Sequence, residues 1–199
     1  MENTTWSWAR KGVVALFALL VAGSCMLLAG CAENSEEAVR NAVTNELDEI
    51  KNFDAEEIEE LANESTEFAA LSAYGITATD AYEAIFSDFD YSIEDVKVDG
   101  DKATVGIKFT TKDLNKFQSA LVSAAQQADA DGSLEGLTQS EMNAKIGELV
   151  LNTIKDLPTT ETKVIDFDVV KQGGSWQMAN DSGEVLQEAL FPSSVMSSN

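Results

Sequence analysis

The sequence predicts an α+β domain, in which helices pack on a small curved antiparallel sheet made of two hairpins and an N-terminal helical segment comes first. Apolar residues recur at helical spacing before residue 90. They then alternate with polar residues around residues 91–111 and again around residues 160–178. Because the period changes from 3.6 to 2 in blocks rather than at every element, the pattern is typical of the α+β class.

The first helix is expected to run from Ser35 to about Lys51. Asp54, with Glu57 three residues later, predicts the start of a second helix by a capping box. Gly75 predicts the end of that helix, because glycine readily adopts a left-handed conformation. Thr79 or Asp80 is expected to cap a short third helix. The inward-facing residues of the three helices are predicted to be Val39, Val43, Leu47, Ile50, Ile58, Leu61, Phe68, Leu71, Tyr82, Ile85 and Phe86.

Two hairpins follow from the alternating stretches. Residues 91–99 and 102–111 are joined by an Asp-Gly-Asp turn, and residues 160–171 and 175–178 by a Gly-Gly turn. Both are common turn signals between strands. The apolar face of the sheet is expected to contain Val96, Val98, Ala103, Val105, Ile107, Phe109, Ile165, Phe167 and Val169.

Two further helices are predicted between the hairpins, and one after them. The first runs over about residues 113–128, and the second from the capping box Thr138-Gln139-Ser140-Glu141 to Pro158. A last helix, capped by Asp181 or Ser182, ends at Leu190. Residues expected to be buried here are Leu114, Phe117, Leu121, Ala124, Met142, Ile146, Val150, Ile154 and Leu157.

The N-terminal residues have the layout of a secretory signal. The basic pair Arg10-Lys11 precedes an apolar run over residues 13–22, and small residues precede a cysteine in Leu28-Ala29-Gly30-Cys31. These four residues resemble a bacterial lipobox. The resemblance implies that residues 1–30 are removed and that Cys31 becomes a lipidated N-terminus. Residues 31–34 then form a short tether, residues 35–190 a single domain, and residues 191–199 a flexible polar tail.

Two alternatives remain for this segment. Residues 12–28 are just long enough for an uncleaved membrane-spanning helix, although glycine and serine residues weaken it. Cys25 is a second possible acceptor, but it lacks a leucine at the third position before it. The favoured hypothesis places the protein at the extracytoplasmic face of the cell membrane.

Composition excludes several kinds of chemistry. The chain has no histidine, so Ser-His-Asp and Cys-His catalysis and imidazole metal ligation are excluded. Its cysteines are Cys25 and Cys31, which leaves no thiol for a disulfide or a nucleophile in the domain. Without the signal, 11 basic and 34 acidic residues remain. Such a charge repels nucleic acid and anionic lipid headgroups, so nucleic acid is disfavoured as a partner and the domain is expected to stand off the membrane.

The order of elements resembles that of small bacterial lipoproteins of unknown function. The resemblance rests on the hairpin from Val96 through Asp99-Gly100-Asp101 to Val105, and on the hairpin that ends Gly173-Gly174-Ser175-Trp176. Many such proteins adopt the cone of the nuclear-transport-factor-2-like group. The resemblance implies a curved sheet wrapped against helices with a pocket between them, but no agreed activity.

Three groups of residues are candidates for a functional site. Residues 129–135 contain spaced carboxylates and a glycine but do not match an EF-hand loop, and a solvated connector is favoured over a calcium site. Asp166 and Asp168 are expected to point outward. The candidates for lining an apolar ligand pocket are Tyr91, Phe109, Phe167 and Trp176.

The sequence therefore favours a non-catalytic binding module for a small ligand or a surface protein. It predicts no catalytic residues, no metal ligands and no cofactor. One alternative is a cone-fold enzyme that uses a carboxylate and a tyrosine in its pocket. Another is a structural or envelope-sensing lipoprotein whose partner is a second surface protein.

Overall fold

The fold is organised around one long central strand. The computed structural model describes residues 35–63 and 70–191. The helices are α1 (Ser35–Lys51), α2 (Ala55–Asn63), α3 (Ala78–Phe86), a 3-10 turn (Leu114–Lys116), α4 (Phe117–Ala130), α5 (Gln139–Lys155) and α6 (Ser182–Leu190). The strands are β1 (Asp90–Asp99), β2 (Lys102–Lys112), β3 (Thr159–Glu161), β4 (Ile165–Gln172) and β5 (Ser175–Met178).

Strand β2 pairs on both of its sides. Along the described chain the sheet order is β1-β2-β4-β5, all antiparallel, and β3 pairs with the far end of β2. The sheet curls into a half-barrel. Because side chains alternate across a strand, one face of β2 places Ala103, Val105, Ile107 and Phe109 in the core, each at most 5% exposed. The predicted α+β class, with its N-terminal helix first, is confirmed.

Helix α1 lies between the two outer strands of the half-barrel, since it contacts both β1 and β5. Its predicted apolar stripe is buried, with Val39 and Val43 fully inaccessible. Helices α3 and α6 pack against β2 from the same core, which also contains Phe167 and Val169 of β4.

Several local predictions are confirmed. Gly100 has a positive φ of 62°, as its turn requires, and Gly75 has a φ of 71° in the turn that follows helical residues 70–72. Helix α2 is described as far as Asn63 and residues 64–69 lie outside the described residues, so one continuous helix up to Gly75 stays a prediction. The capping box of α5 forms between Thr138 and Glu141. Strand β5 has the predicted bounds. Asp54 accepts a hydrogen bond from the Glu56 N–H at 2.8 Å, while the side chain of Glu57 lies outside the described residues, as do Phe68 and the side chain of Leu61.

Other predictions were wrong in detail. Thr77 caps α3, and Asp80 is the third residue of the helix, whose side chain completes the capping box, rather than the cap. The predicted strand over residues 160–171 is split into β3 and β4, since Thr162 turns back to bond Phe109 through both its N–H and its hydroxyl. Ile146 and Val98, both predicted to face inward, are 38% and 37% exposed.

Helices α4 and α5 form a hairpin on the outside of the domain. Helix α4 packs mainly on α5, and Ala128 is the buried residue that the structure shows in it. The four residues predicted to form its buried stripe are only half-buried: Leu114, Phe117, Leu121 and Ala124. Gly147 of α5 lies so close to Tyr74 that an added Cβ would be 2.0 Å from the Tyr74 carbonyl oxygen.

Candidate functional site

Three of the four predicted pocket aromatics belong to one continuous aromatic cluster. Phe109 and Phe167 are fully buried and pack edge to face, with ring centroids 5.8 Å apart. Phe89 stacks on Phe109 at 6.0 Å and lies 6.4 Å from Tyr91. These rings fill the space between the sheet and α3, so Phe109 and Phe167 act as packing residues of the core.

Trp176 lies apart from that cluster, on the outer strand β5. It is half-buried against the edge of the core. The ammonium of Lys171, its cross-strand neighbour, lies 5.7 Å from the centre of the indole ring. The four predicted pocket residues therefore do not converge on one space.

A small cavity lies at the other end of the aromatic cluster. Its volume is about 10 Å³, which is the room that a single water molecule needs. The lining is mostly apolar and comprises Ile85, Phe86, Phe89, Thr111, Lys112, Leu114, Leu190 and Phe191. Phe191 is 6% exposed, so the packed chain extends through this residue, and residues 192–199 of the predicted tail lie outside the described residues.

Lys112 is the polar member of that lining. Its side chain is 3% exposed, and its ammonium pairs with the carboxylate of Asp88 at 2.5 Å. It also donates to the backbone carbonyls of Lys155 at 2.6 Å and Leu157 at 3.4 Å. These carbonyls lie at the C-terminal end of α5, where the helix leaves acceptors unpaired and favours a cation. Lys112 thus joins the end of β2 to the end of α5.

Helix α1 is bonded to β1 by polar side chains. Arg40 Nη1 donates to the Ile93 carbonyl at 3.3 Å, and Lys51 pairs with Asp90 at 2.8 Å. Between them, the Tyr91 hydroxyl donates to Asp48 Oδ1 at 2.7 Å. Burial and the bond to Asp48 raise the pKa of Tyr91 to about 12. The hydrogen bond between Tyr91 and Asp48 thus attaches α1 to β1, which is a structural role for both side chains.

Glu46 bonds α1 to the opposite outer strand. Its Oε1 accepts a hydrogen bond from the Met178 N–H at 3.0 Å. Burial raises the pKa of Glu46, and the bond from Met178 acts in the opposite direction. Together with the β1 contacts, this bond makes α1 a bridge between the two outer strands.

The carboxylate candidates do not form a metal site. Asp166 and Asp168 are exposed on the outer face of β4, as predicted. Asp131, in the connector between α4 and α5, has its pKa lowered first by the Ser133 hydroxyl and then by the Ser133 N–H, which donates to it at 2.9 Å. Within residues 35–63 and 70–191, no three carboxylates are grouped so as to hold a metal ion.

Sequence reasoning missed the residues that bond distant elements together. Lys112 is bonded to residues up to 45 positions away, and Glu46 to one 132 positions away. No local pattern marks such a partner. The one available signal for Lys112 was its place at the end of a strand with strict alternation.

Comparison with known proteins returned no match to any protein family, curated protein or solved structure. The resemblance to the nuclear-transport-factor-2-like group therefore stays a prediction. In the described part of the chain, no helix combines the length and apolar character needed to cross a bilayer.

Proposed function

We propose that this protein is a lipoprotein anchored through Cys31 at the extracytoplasmic face of the cell membrane, where it binds a partner protein through its surface and catalyses no reaction. The packing of Phe109 against Phe167 carries the choice of a partner protein. Both rings are fully buried, and they occupy the interior in which a small ligand was expected.

The outer face of α4 supports a surface role. No charged residue occurs between Lys116 and Asp129, although charged residues make up 24% of the chain. Val122, in the middle of this stretch, is 52% exposed. An uncharged face can be covered by a partner without desolvating a carboxylate, which is the main cost elsewhere on so acidic a domain.

Metabolic labelling with palmitate tests the anchor. Label is expected on the wild-type protein and on C25A, and is expected to be absent from C31A. Label that persists in C31A would contradict the proposed anchor.

A photo-reactive residue at position 122 tests the binding face in the intact cell. We expect a cross-linked protein adduct from position 122 and none from position 166. Position 166 is the control because Asp166 is also exposed but lies on the charged outer face of β4. Native mass spectrometry of the mature protein completes the test. A bound small molecule, with no adduct at position 122, would favour the small-ligand alternative and contradict the proposed partner.

A further inference from the structure

We propose that one rim of the half-barrel rests on the phospholipid headgroups of the membrane that holds Cys31. The rim consists of the β1–β2 turn, from Val98 to Lys102, and the β4–β5 turn, from Lys171 to Trp176. The inference rests on the proposed lipid anchor and adds which end of the domain meets the bilayer.

The direction of α1 indicates which end this is. Hydrogen bonds join α1 to β1 between Arg40 and Ile93, between Asp48 and Tyr91, and between Lys51 and Asp90. As the residue number rises along α1, the number of its partner in β1 falls. Helix α1 therefore runs antiparallel to β1. The start of α1 lies toward the later residues of β1 and hence toward the β1–β2 turn.

The second turn lies beside the first. The Lys171 N–H donates to the Asp101 carbonyl at 2.8 Å, and Val170 is opposite Lys102 in the sheet. Both turns are thus at the end where α1 begins. Residues 32–34 can span about 10 Å at most, so an anchor on Cys31 keeps this end near the bilayer.

The lysines of the rim differ from most others in the domain. Within residues 35–63 and 70–191, the basic side chains that form ion pairs with carboxylates are Arg40, Lys51, Lys97, Lys108, Lys112, Lys116, Lys145 and Lys155. Among the described residues, Lys102, Lys163 and Lys171 are outside such pairs. Two of these three are in the rim, where their ammonium groups remain available to phosphate oxygens.

The apolar side chains of the rim suit the same environment. Trp176 is half-buried beneath Lys171, and Val98 is 37% exposed. Tryptophan rings settle at the headgroup level of bilayers, and lysine extends its ammonium toward the phosphates. Asp99 and Asp101 leave the rim close to neutral. On a domain with 34 acidic residues after the signal, a neutral end meets a phosphate layer at the lowest electrostatic cost.

Trp176 makes the inference measurable. Trp6 and Trp8 precede Cys31, so Trp176 is the one tryptophan of the mature chain. The mature lipoprotein is reconstituted into vesicles of phosphatidylcholine and phosphatidylglycerol whose lipids carry bromine near the headgroup end of the acyl chain. We expect the bromine to quench Trp176 fluorescence. The K102E/K171E variant is expected to lose most of the quenching, and the charge-matched variant K116E/K163E is expected to keep it.

The outcomes separate the rim from the anchor. Protein that floats with the vesicles while Trp176 stays unquenched overturns the rim contact and leaves the anchor intact. Equal loss of quenching in both double variants also overturns it, because general repulsion would then explain the effect. Protein that carries no lipid mass on Cys31 and does not float overturns the anchor and the rim together.

Discussion

At the scale of single residues, Lys112 is the most constrained charged group of the described chain. It has almost no contact with water, yet its ammonium has a carboxylate and two carbonyls within bonding distance. A buried ammonium is stable only when its donors are satisfied in this way. The side chain of Asp88 is half exposed, so water also solvates its carboxylate.

Replacement of Lys112 by methionine keeps the apolar length of the side chain and removes all of its donors. We expect K112M to lower the free energy of unfolding by about 1–3 kcal/mol, because the carbonyls at the end of α5 lose their buried partner. Urea unfolding followed by circular dichroism measures this. D88N, which retains an acceptor on a half-exposed side chain, is expected to cost less. A larger cost for D88N would contradict the role given to the α5 carbonyls.

Glu46 gives the stability of the domain a specific dependence on pH. Because burial raises its pKa, the folded state holds this proton more tightly than the unfolded chain does. The stabilisation is fully present below the ordinary glutamate pKa and is lost as the pH rises through the raised value. We expect E46Q to melt above the wild type at pH 7, and this difference to shrink toward pH 4.

Thermal unfolding at the two pH values measures the effect of E46Q. The exposed loop variant E135Q is the control and is expected to show little difference at either pH. A stabilisation by E46Q that is equal at pH 4 and pH 7 would show that titration of Glu46 is not the cause.

At the scale of elements, the stability of the domain depends on the contacts that attach α5 to the segment before α3. The closest approach of α5 is at Gly147, which lies against the backbone of Tyr74. One turn earlier, Asn143 donates to the Ala73 carbonyl at 3.4 Å. The segment around residues 73–76 is therefore one of the places, with α3 and Lys112, where α5 is attached to the rest of the molecule.

A methyl group added at Gly147 would clash with the backbone of Tyr74, and a backbone atom cannot move aside as the end of a side chain can. We expect G147A to cost about 1–3 kcal/mol even though alanine favours helix by up to about 1 kcal/mol. N152A, at an exposed position of the same helix, is expected to change stability by less than about 0.5 kcal/mol. Denaturant unfolding measures the free energy of unfolding of both variants. A G147A variant more stable than the wild type would contradict the close approach of Gly147 to Tyr74.

The elements differ in how far the sequence predicted them. The core face of β2 was predicted correctly because alternation places every second residue on one face of a sheet. The α5 stripe was predicted only in part. Leu157 is buried and Val150 packs against the core, but Met142 and Ile154 are half-buried and Ile146 is 38% exposed. Helix α5 packs between α3 and α4, and its fully buried residues are Gly147 and Thr153, which apolar periodicity does not select. The break at Thr162 also escaped prediction, because its bonds reach Phe109, 53 positions away.

At the scale of the whole molecule, the charge opposes folding by self-repulsion. The chain has 35 acidic and 13 basic residues, and its ion pairs are mostly exposed and individually weak. The Debye length, beyond which charges are largely screened from each other, falls from about 30 Å at 0.01 M salt to about 8 Å at 0.15 M. We expect the melting temperature to rise by a few degrees over this range, roughly 2–4 °C for each kcal/mol of repulsion removed.

Sodium chloride and choline chloride at equal ionic strength are expected to act alike in that measurement. A rise with sodium alone would indicate binding of that cation rather than screening. A fall in melting temperature with both salts would show that the ion pairs outweigh the repulsion.

The antiparallel course of α1 along β1 also determines how the domain carries a mechanical load. A pull on the N-terminal end of α1 acts along the helix axis, parallel to the strand beside it. The attachments at Arg40, Asp48 and Lys51 are then strained in shear and must yield together. Tension from the N-terminal side is thus distributed over these three attachments along the length of the helix.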